Sequence, residues 1–170
     1  AGCGNFAWEF IYSFFIITDM GVLMLWGYRS WLILDLFIFG ALLKYGREDT
    51  FLPPFKRNYV LYAVILTVLW GILYMVMHDA GYETPIGAIS AYVLNTFISI
   101  LYVVNWYRLD DISHLSKWIA WLKGWGTGLI SVFMVMHYPE NHFIHFWAVI
   151  ITLFDAWYIY LLHRGRRPED

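Results

Sequence analysis

The chain has 170 residues, of which 61% are hydrophobic, 21% aromatic and 14% charged, and its formal net charge at pH 7 is −2. Soluble domains are about 45–50% apolar and about 25% charged, so this composition excludes a disordered chain, a nucleic-acid-binding protein and an ordinary cytosolic enzyme. The single cysteine, Cys3, excludes an internal disulfide framework and any cysteine-based zinc or iron–sulfur site.

Six apolar segments follow one another along the chain, and a membrane span takes about 20 apolar residues. Their predicted bounds are 6–26, 30–44, 58–77, 85–107, 118–136 and 142–163. The segments are continuously apolar rather than alternating, and they are too long for membrane β-strands. Because helices satisfy their own backbone in lipid, the sequence predicts an all-α, polytopic membrane helical bundle that forms one domain over residues 1–170.

Basic residues predict the orientation of that bundle. Six spans place both termini and two loops on one side, and that side holds every Lys and Arg except Arg29, among eleven in all. Lys117 and Lys123 are counted there, beside tryptophans that are typical of an interfacial belt. Since basic loops are retained in the cytosol, we expect an integral, multi-pass membrane protein with a cytosolic C-terminus.

Ionisable side chains are expensive in lipid, so each one inside a span is a candidate functional group. The polar candidates within the predicted spans are Glu9, Asp19, Asp35, Asn95 and Asp155. On the first span, Asn5, Glu9 and Tyr12 share a helical stripe with Asp19, which predicts one wall of a polar cavity. The alternative is that Asn5 and Glu9 are interfacial residues at a helix start, where an acid favours the helix dipole.

Asp155 lies about two turns from the predicted cytosolic end of the last span, and its short stem cannot carry the carboxyl to the interface. Its alternative role is helix packing through a hydrogen bond. Glu9 lies nearer the same membrane face, so the two carboxyls can share a depth. A carboxyl removed from water favours its neutral form and can then deliver a proton. We expect the deeper Asp155 to be the proton donor and Glu9 to be its partner.

Several aromatic side chains lie near these acids, and their π-faces can stabilise a carbocation without attacking it. They are Trp8, Tyr12, Tyr92, Tyr102, Trp157 and Tyr158. Ordinary packing is the alternative in a chain that is 21% aromatic.

Histidines at the non-cytosolic ends of the spans suggest a rival function. His142 and His145 are separated by three positions, a spacing that can hold a metal, and His78 and His137 end two other spans. No carboxylate–histidine motif accompanies them, and axial haem ligands are expected within paired spans rather than in loops. We therefore expect no metal and no haem, and NAD and ATP motifs are absent as well.

The residues Asn5, Trp8 and Glu9 form the pattern N-x-x-W-E at the start of an aromatic-rich helix. This pattern resembles the small integral-membrane terpene cyclases of meroterpenoid and indole-terpenoid biosynthesis, the paxilline- and pyripyropene-type family. Glu9 matches that family's first acid, and Asp155, within Phe-Asp-Ala-Trp-Tyr, is similar to its second. The family implies seven spans with the N-x-x-W-E helix second. That helix is first here, so we expect either a missing N-terminal span or a shorter relative.

The resemblance implies an enzyme that protonates a terminal epoxide or alkene of a prenylated aromatic or indole substrate and drives carbocation ring closure. It implies catalytic roles for Glu9 and Asp155, no cofactor, and a lipophilic substrate that enters from membrane lipid. The expected substrate-binding residues are Asn5, Trp8, Tyr12, Asp35, Tyr92, Asn95, Tyr102, Trp157 and Tyr158. Two alternatives stay open, a proton-coupled small membrane transporter and a sterol-isomerase-like membrane enzyme. The oligomeric state is open too.

Overall fold

The structure is a computed structural model, and it describes residues 1–16, 18, 21–48, 53–109, 111–113 and 115–165. Within these ranges the chain is helical and contains no strand, which confirms the predicted all-α membrane bundle. The helices are α1 (Gly2–Phe14), α2 (Gly21–Tyr45), α3 (Pro53–Arg57), α4 (Tyr59–Asp79), α5 (Ala88–Arg108), α6 (Lys117–His137) and α7 (His142–Arg164).

Five helices of the described chain are long and apolar enough to cross a membrane, namely α2, α4, α5, α6 and α7. The first predicted span differs: α1 has 13 residues, which corresponds to about 20 Å against a hydrocarbon core of about 30 Å. Large apolar side chains such as Leu23, Phe37 and Met136 are strongly exposed on the long helices. Such faces are suited to lipid rather than to water.

The predicted bounds of the first two spans, 6–26 and 30–44, are wrong. Helix α1 ends at Phe14, and α2 begins at Gly21 and continues to Tyr45. Gly21 has a φ of 77°, in the left-handed region that glycine adopts without a steric penalty. The break was invisible to hydropathy because apolar residues continue on both sides of it. Asp19, predicted to share the stripe of Asn5 and Glu9, lies outside the described residues.

The remaining four spans agree with α4 to α7 within a few residues. The predicted start at Pro85 is three positions early, because a turn through Gly87, with a φ of 71°, precedes α5. Pro53 and Pro54, which lie between two predicted spans, open the short helix α3. Proline is tolerated there because the first turn of a helix needs no backbone donor.

Contacts divide the chain into two compact units, residues 1–91 and 92–170. In the first unit, α1 packs against α2 and α4. Tyr12, Tyr28 and Tyr74 are fully buried in its core, which also holds Trp8 and Ile11.

In the second unit, α6 packs against α7. Its core joins Val103 and Trp106 of α5 to Ala120 of α6 and to Tyr158 and Leu161 of α7. Each unit therefore has a core of its own, and each contains one of the two predicted catalytic acids.

Candidate functional site

In the first unit, Asn5 connects two carboxyl groups from different helices. Its Nδ2 atom donates to Oδ2 of Asp35 over 2.6 Å and to Oε1 of Glu9 over 3.3 Å. Asn5 and Glu9 are four positions apart on α1, so they share one helical face, whereas Asp35 comes from the middle of α2. Glu9 and Asp35 are each 8% exposed. The sequence predicted all three as site residues, but it did not predict that Asp35 is the partner of Glu9.

Only part of the Glu9 carboxyl is held by this contact. Oε1 accepts from Asn5, whereas the buried Oε2 has no hydrogen-bond partner among the described residues. Burial of Glu9 disfavours its charged form, and the neighbouring Asp35 carboxyl does so further, so a pair of this kind retains a proton. The arrangement leaves one oxygen of Glu9 anchored and the other free for proton transfer.

An aromatic cluster formed by Trp8, Tyr12 and Tyr28 lies within the same unit. The Trp8 ring stacks on Tyr12 at a centroid distance of 4.6 Å and meets Tyr28 edge-on at 5.3 Å. Tyr12 is fully buried, and Tyr28 is 1% exposed. Trp8 and Tyr12 were predicted from the sequence, and Tyr28 was not. The three rings pack against one another as part of the core of this unit.

The loop between α4 and α5 closes over this aromatic cluster. Trp8 Nε1 donates to the carbonyl of Gly87 at 3.3 Å and to Oγ of Ser90 at 3.0 Å. Tyr28 donates its hydroxyl to the carbonyl of Ile86 at 2.9 Å. The Tyr12 ring lies so close to Gly87 that an added Cβ would overlap it. Because Gly87 has no side chain, the loop can pack directly against the aromatic rings.

Glu83 holds this loop in shape, and the sequence analysis missed it. Its carboxylate accepts from the backbone N–H groups of Thr84, Ile89 and Ser90 at 2.7–2.8 Å. The hydroxyl of Thr84 accepts from the N–H of Ala88. The first turn of α5 thus has its otherwise unpaired donors satisfied by side chains. An acid followed by Thr just before an apolar run was the sequence signal that could have identified this cap.

In the second unit, Asp155 of α7 forms a partly buried ion pair with Lys123 of α6. The Nζ–Oδ1 distance is 2.6 Å, and the same ammonium donates to Oγ of Ser99 on α5 at 2.6 Å. Asp155 is 5% exposed, and its Oδ2 has no hydrogen-bond partner among the described residues. Like Glu9, Asp155 has one anchored carboxyl oxygen and one free oxygen.

Lys123 was assigned from the sequence to the basic, cytosolic surface. In the structure its side chain instead points into the second unit, toward Asp155. It lies six positions inside α6, which is more than a helical turn beyond the exposed Lys117. Even without Lys123, all the other Lys and Arg residues except Arg29 stay on the predicted cytosolic side. The location of a lysine within a predicted span, rather than at its edge, was the available signal.

The predicted aromatic residues of this unit are placed on different faces. Tyr102 and Tyr158 lie in contact, with ring centroids 4.9 Å apart, and Tyr158 is buried. Trp157 is 45% exposed and meets Tyr107 edge-on at 6.4 Å, so it lies on the outer side of α7. The structure therefore brings Tyr102 and Tyr158 together and leaves Trp157 apart from them.

A row of polar contacts joins α5 to α6. Tyr92 donates to Ser131 at 3.1 Å, and Asn95 donates to Thr127 at 3.4 Å. The contact between Lys123 and Ser99 continues the row toward the other end of the helices. Tyr92 and Asn95 were expected to contact substrate, and here they are also interhelical hydrogen-bond donors.

The histidines do not gather into a metal site in the part of the chain that the structure describes. The rings of His142 and His145 are 5.9 Å apart, and among the described residues no three His, Cys, Asp or Glu side chains converge. Nδ1 of His78 is buried at the end of α4.

The two predicted catalytic acids have separate surroundings, each described within its own unit. Glu9 is joined to Asp35 through Asn5, and Asp155 is joined to Lys123. The joint action of Glu9 and Asp155 on one substrate stays a prediction from the sequence.

A comparison with protein families finds one match over nearly the whole chain. The model of the Pyr4-like transmembrane terpene cyclases matches residues 1–167. No curated protein and no solved structure matches the chain. The match includes Glu9, Asp35 and Asp155, together with every other residue of the two sites described above.

Proposed function

We propose that this chain, which belongs to the Pyr4-like transmembrane terpene cyclases, cyclises a prenylated aromatic or indole compound by protonating a terminal epoxide or alkene. Because the chain belongs to this family and has five helices long and apolar enough to cross a membrane among its described residues, it is an integral, multi-pass membrane protein and a terpene cyclase. The substrate class and the initiating protonation are the proposed part. A prenyl tail is as apolar as lipid, so a site within a membrane protein can receive it from the bilayer.

The observation that carries the proposal is the Asn5 amide shared by Glu9 and Asp35. Burial of Glu9 and the neighbouring carboxyl of Asp35 favour retention of a proton by this pair, and the free Oε2 of Glu9 can deliver it. This assigns Glu9 as the proton donor, which reverses the roles expected from the sequence. The reversal is supported by Lys123, because an ammonium at 2.6 Å favours the charged form of Asp155.

The proposed reaction begins with transfer of the Glu9 proton to substrate. With an epoxide, the proton goes to oxygen, one carbon–oxygen bond breaks and a tertiary carbocation forms beside a new hydroxyl group. With an alkene, the proton goes to carbon and the carbocation forms next to it. In both cases a neighbouring double bond donates its electron pair, so a carbon–carbon bond closes and the positive charge moves along the tail.

The reaction ends with loss of a proton from carbon, whose bonding electrons form a carbon–carbon double bond or restore an aromatic ring. We propose that Oδ2 of Asp155 accepts that proton. One proton enters the substrate and one leaves it, so substrate and product are isomers. Transfer of protons to and from water then returns both acids to their starting states.

The test is turnover by purified protein in lipid nanodiscs, with prenylated phenols and indoles that carry a terminal epoxide or alkene. Glu9→Gln removes the transferable proton and keeps the shape, so we expect turnover to fall by about 10²–10⁴-fold. Asp35→Asn removes the second carboxyl of the pair and should also lower turnover. Glu140→Gln, an exposed acid in the α6–α7 loop, is the matched control. Near-normal turnover by Glu9→Gln would reject Glu9 as the donor.

Reaction in deuterated water distinguishes the two kinds of substrate. Protonation of an alkene places deuterium on carbon, where it remains in the isolated product. Protonation of an epoxide places deuterium on oxygen, from which it is lost during work-up. Mass spectrometry of the product therefore reports which bond receives the first proton.

A further inference from the structure

We infer that Lys123 is a positioning residue that holds Asp155 as a carboxylate, with Oδ1 fixed and Oδ2 free to accept a proton from the reacting cation. The inference deepens the proposed function and rests on it for its chemical meaning. Nothing in the family pattern used above includes Lys123. It is carried by the ion pair itself, which joins α6 to α7 within the second unit.

The hydrogen bonds around Lys123 have a defined direction. The ammonium donates to Asp155 and to Ser99, and Ser99, which is fully buried, donates in turn to the carbonyl of Asn95. Ser99 has one hydroxyl hydrogen, so its donation to Asn95 leaves its oxygen available as an acceptor for Lys123. The ammonium is thereby fixed between α5 and α7 rather than free to turn toward water.

A lysine that is largely removed from water is costly unless its charge is matched, and Asp155 supplies that match. The other titratable groups that face this carboxyl are phenols. Tyr102 of α5 interacts with it electrostatically, and Tyr158, on the same helix as Asp155, contacts Tyr102. Lys123 is therefore the cationic group that faces Asp155 among the described residues.

The pairing has a consequence for the end of the reaction. When Oδ2 takes a proton from carbon, Asp155 becomes neutral and Lys123 loses its counter-charge. A buried ammonium beside a neutral acid favours release of that proton, because an opposite charge stabilises the ionised carboxyl. Lys123 thus favours both the acceptor state before the reaction and the return to it afterwards.

The first test needs no substrate. Infrared spectra of the protein in nanodiscs distinguish a protonated carboxyl from a carboxylate, and comparison with Asp155→Asn identifies the Asp155 band. We expect a carboxylate in the unmodified protein at neutral pH. Lys123→Met should convert it to a protonated carboxyl. Lys123→Arg should keep the carboxylate, and Lys117→Met, an exposed lysine on the same helix, should leave the spectrum unchanged.

The second test is turnover as a function of pH. Lys123→Met is expected to lower kcat at neutral pH by about 10²-fold, the lower end of the range for acid–base catalysis, with KM nearly unchanged. The loss should diminish as pH rises, and Lys123→Arg should recover part of it. A purely structural lysine would lower the yield of folded protein but would leave the pH profile of the remaining enzyme unchanged.

The double variant, Lys123→Met with Asp155→Asn, is the control for misfolding. It removes both charges, so neither charge is left without its partner. The inference is overturned if Asp155 stays a carboxylate in Lys123→Met, or if Lys123→Met and the unmodified protein share one pH profile. Its failure differs from that of the proposed function. Infrared evidence for the pair, together with unimpaired turnover by Glu9→Gln, would reject the proposed chemistry and leave the pairing intact.

Discussion

Asn5 on α1 donates a hydrogen bond to Asp35 on α2 over 2.6 Å, although the two residues are 30 positions apart in the sequence. The same nitrogen reaches Glu9 at 3.3 Å. Asn5 is therefore the link that places a second carboxyl beside the acid of the N-x-x-W-E pattern. This one amide contacts both helices and both acids.

Asn5→Ala is predicted to lower both stability and turnover. The two buried carboxyls lose their shared donor, so the free energy of unfolding should fall by about 1–3 kcal/mol and turnover should fall with it. Thermal unfolding in detergent and product formation in nanodiscs measure the two effects. Asn105→Ala, on an exposed face of α5, is the control and should change neither. An unchanged melting temperature for Asn5→Ala would mean that the link between α1 and α2 is not stabilising.

Glu83→Ala is predicted to loosen the loop that covers the Trp8–Tyr12–Tyr28 cluster. Three backbone N–H groups lose their acceptor, and the expected loss of stability is about 1–2 kcal/mol, as for other helix N-caps. Glu83→Gln keeps one acceptor oxygen and should lose less. Hydrogen exchange at the first turn of α5 measures the change. Glu140→Ala in the α6–α7 loop is the matched control, and equal protection in all three variants would argue against the cap.

Gly87→Ala is predicted to destabilise the first unit. The residue has a φ of 71°, and a Cβ there would overlap the Tyr12 ring, so we expect a loss of about 2–5 kcal/mol. Gly128→Ala provides the contrast, because nothing lies within 4 Å of a Cβ added at that helical position. That variant should be neutral or slightly stabilising. Thermal unfolding of both variants makes the comparison, and a stable Gly87→Ala protein would contradict the close packing of Tyr12.

The orientation of the chain is predicted from its basic residues. A reporter fused after residue 170 should read cytosolic, and a reporter in the α4–α5 loop should read on the opposite side. Because Lys123 is paired with Asp155, Lys123→Gln should not alter the orientation, whereas neutralising Lys56 and Arg57 should weaken it. A C-terminal reporter that reads consistently non-cytosolic would refute the predicted topology.

The sequence by itself determined the membrane class, the helical fold and most of the helix bounds. Long apolar runs that end at polar residues or breakers leave few alternatives in lipid, which is why α4 to α7 lie close to their predicted limits. Glu9, Asp35 and Asp155 stood out for the same reason, since an acid in an apolar run has a cost that function or pairing must offset. Hydropathy could not detect the break at Gly21, because both flanks are apolar.

Only the tertiary structure decided which groups meet. Hydrogen-bond partners from different helices depend on the rotation and depth of each helix, and a single sequence fixes neither. Asp35 therefore became the partner of Glu9, and Lys123, assigned from its neighbours to the membrane surface, turned inward to Asp155. A few ångströms of approach change what each acid can do, because burial beside a second carboxyl favours retention of a proton, whereas an adjacent ammonium favours its removal.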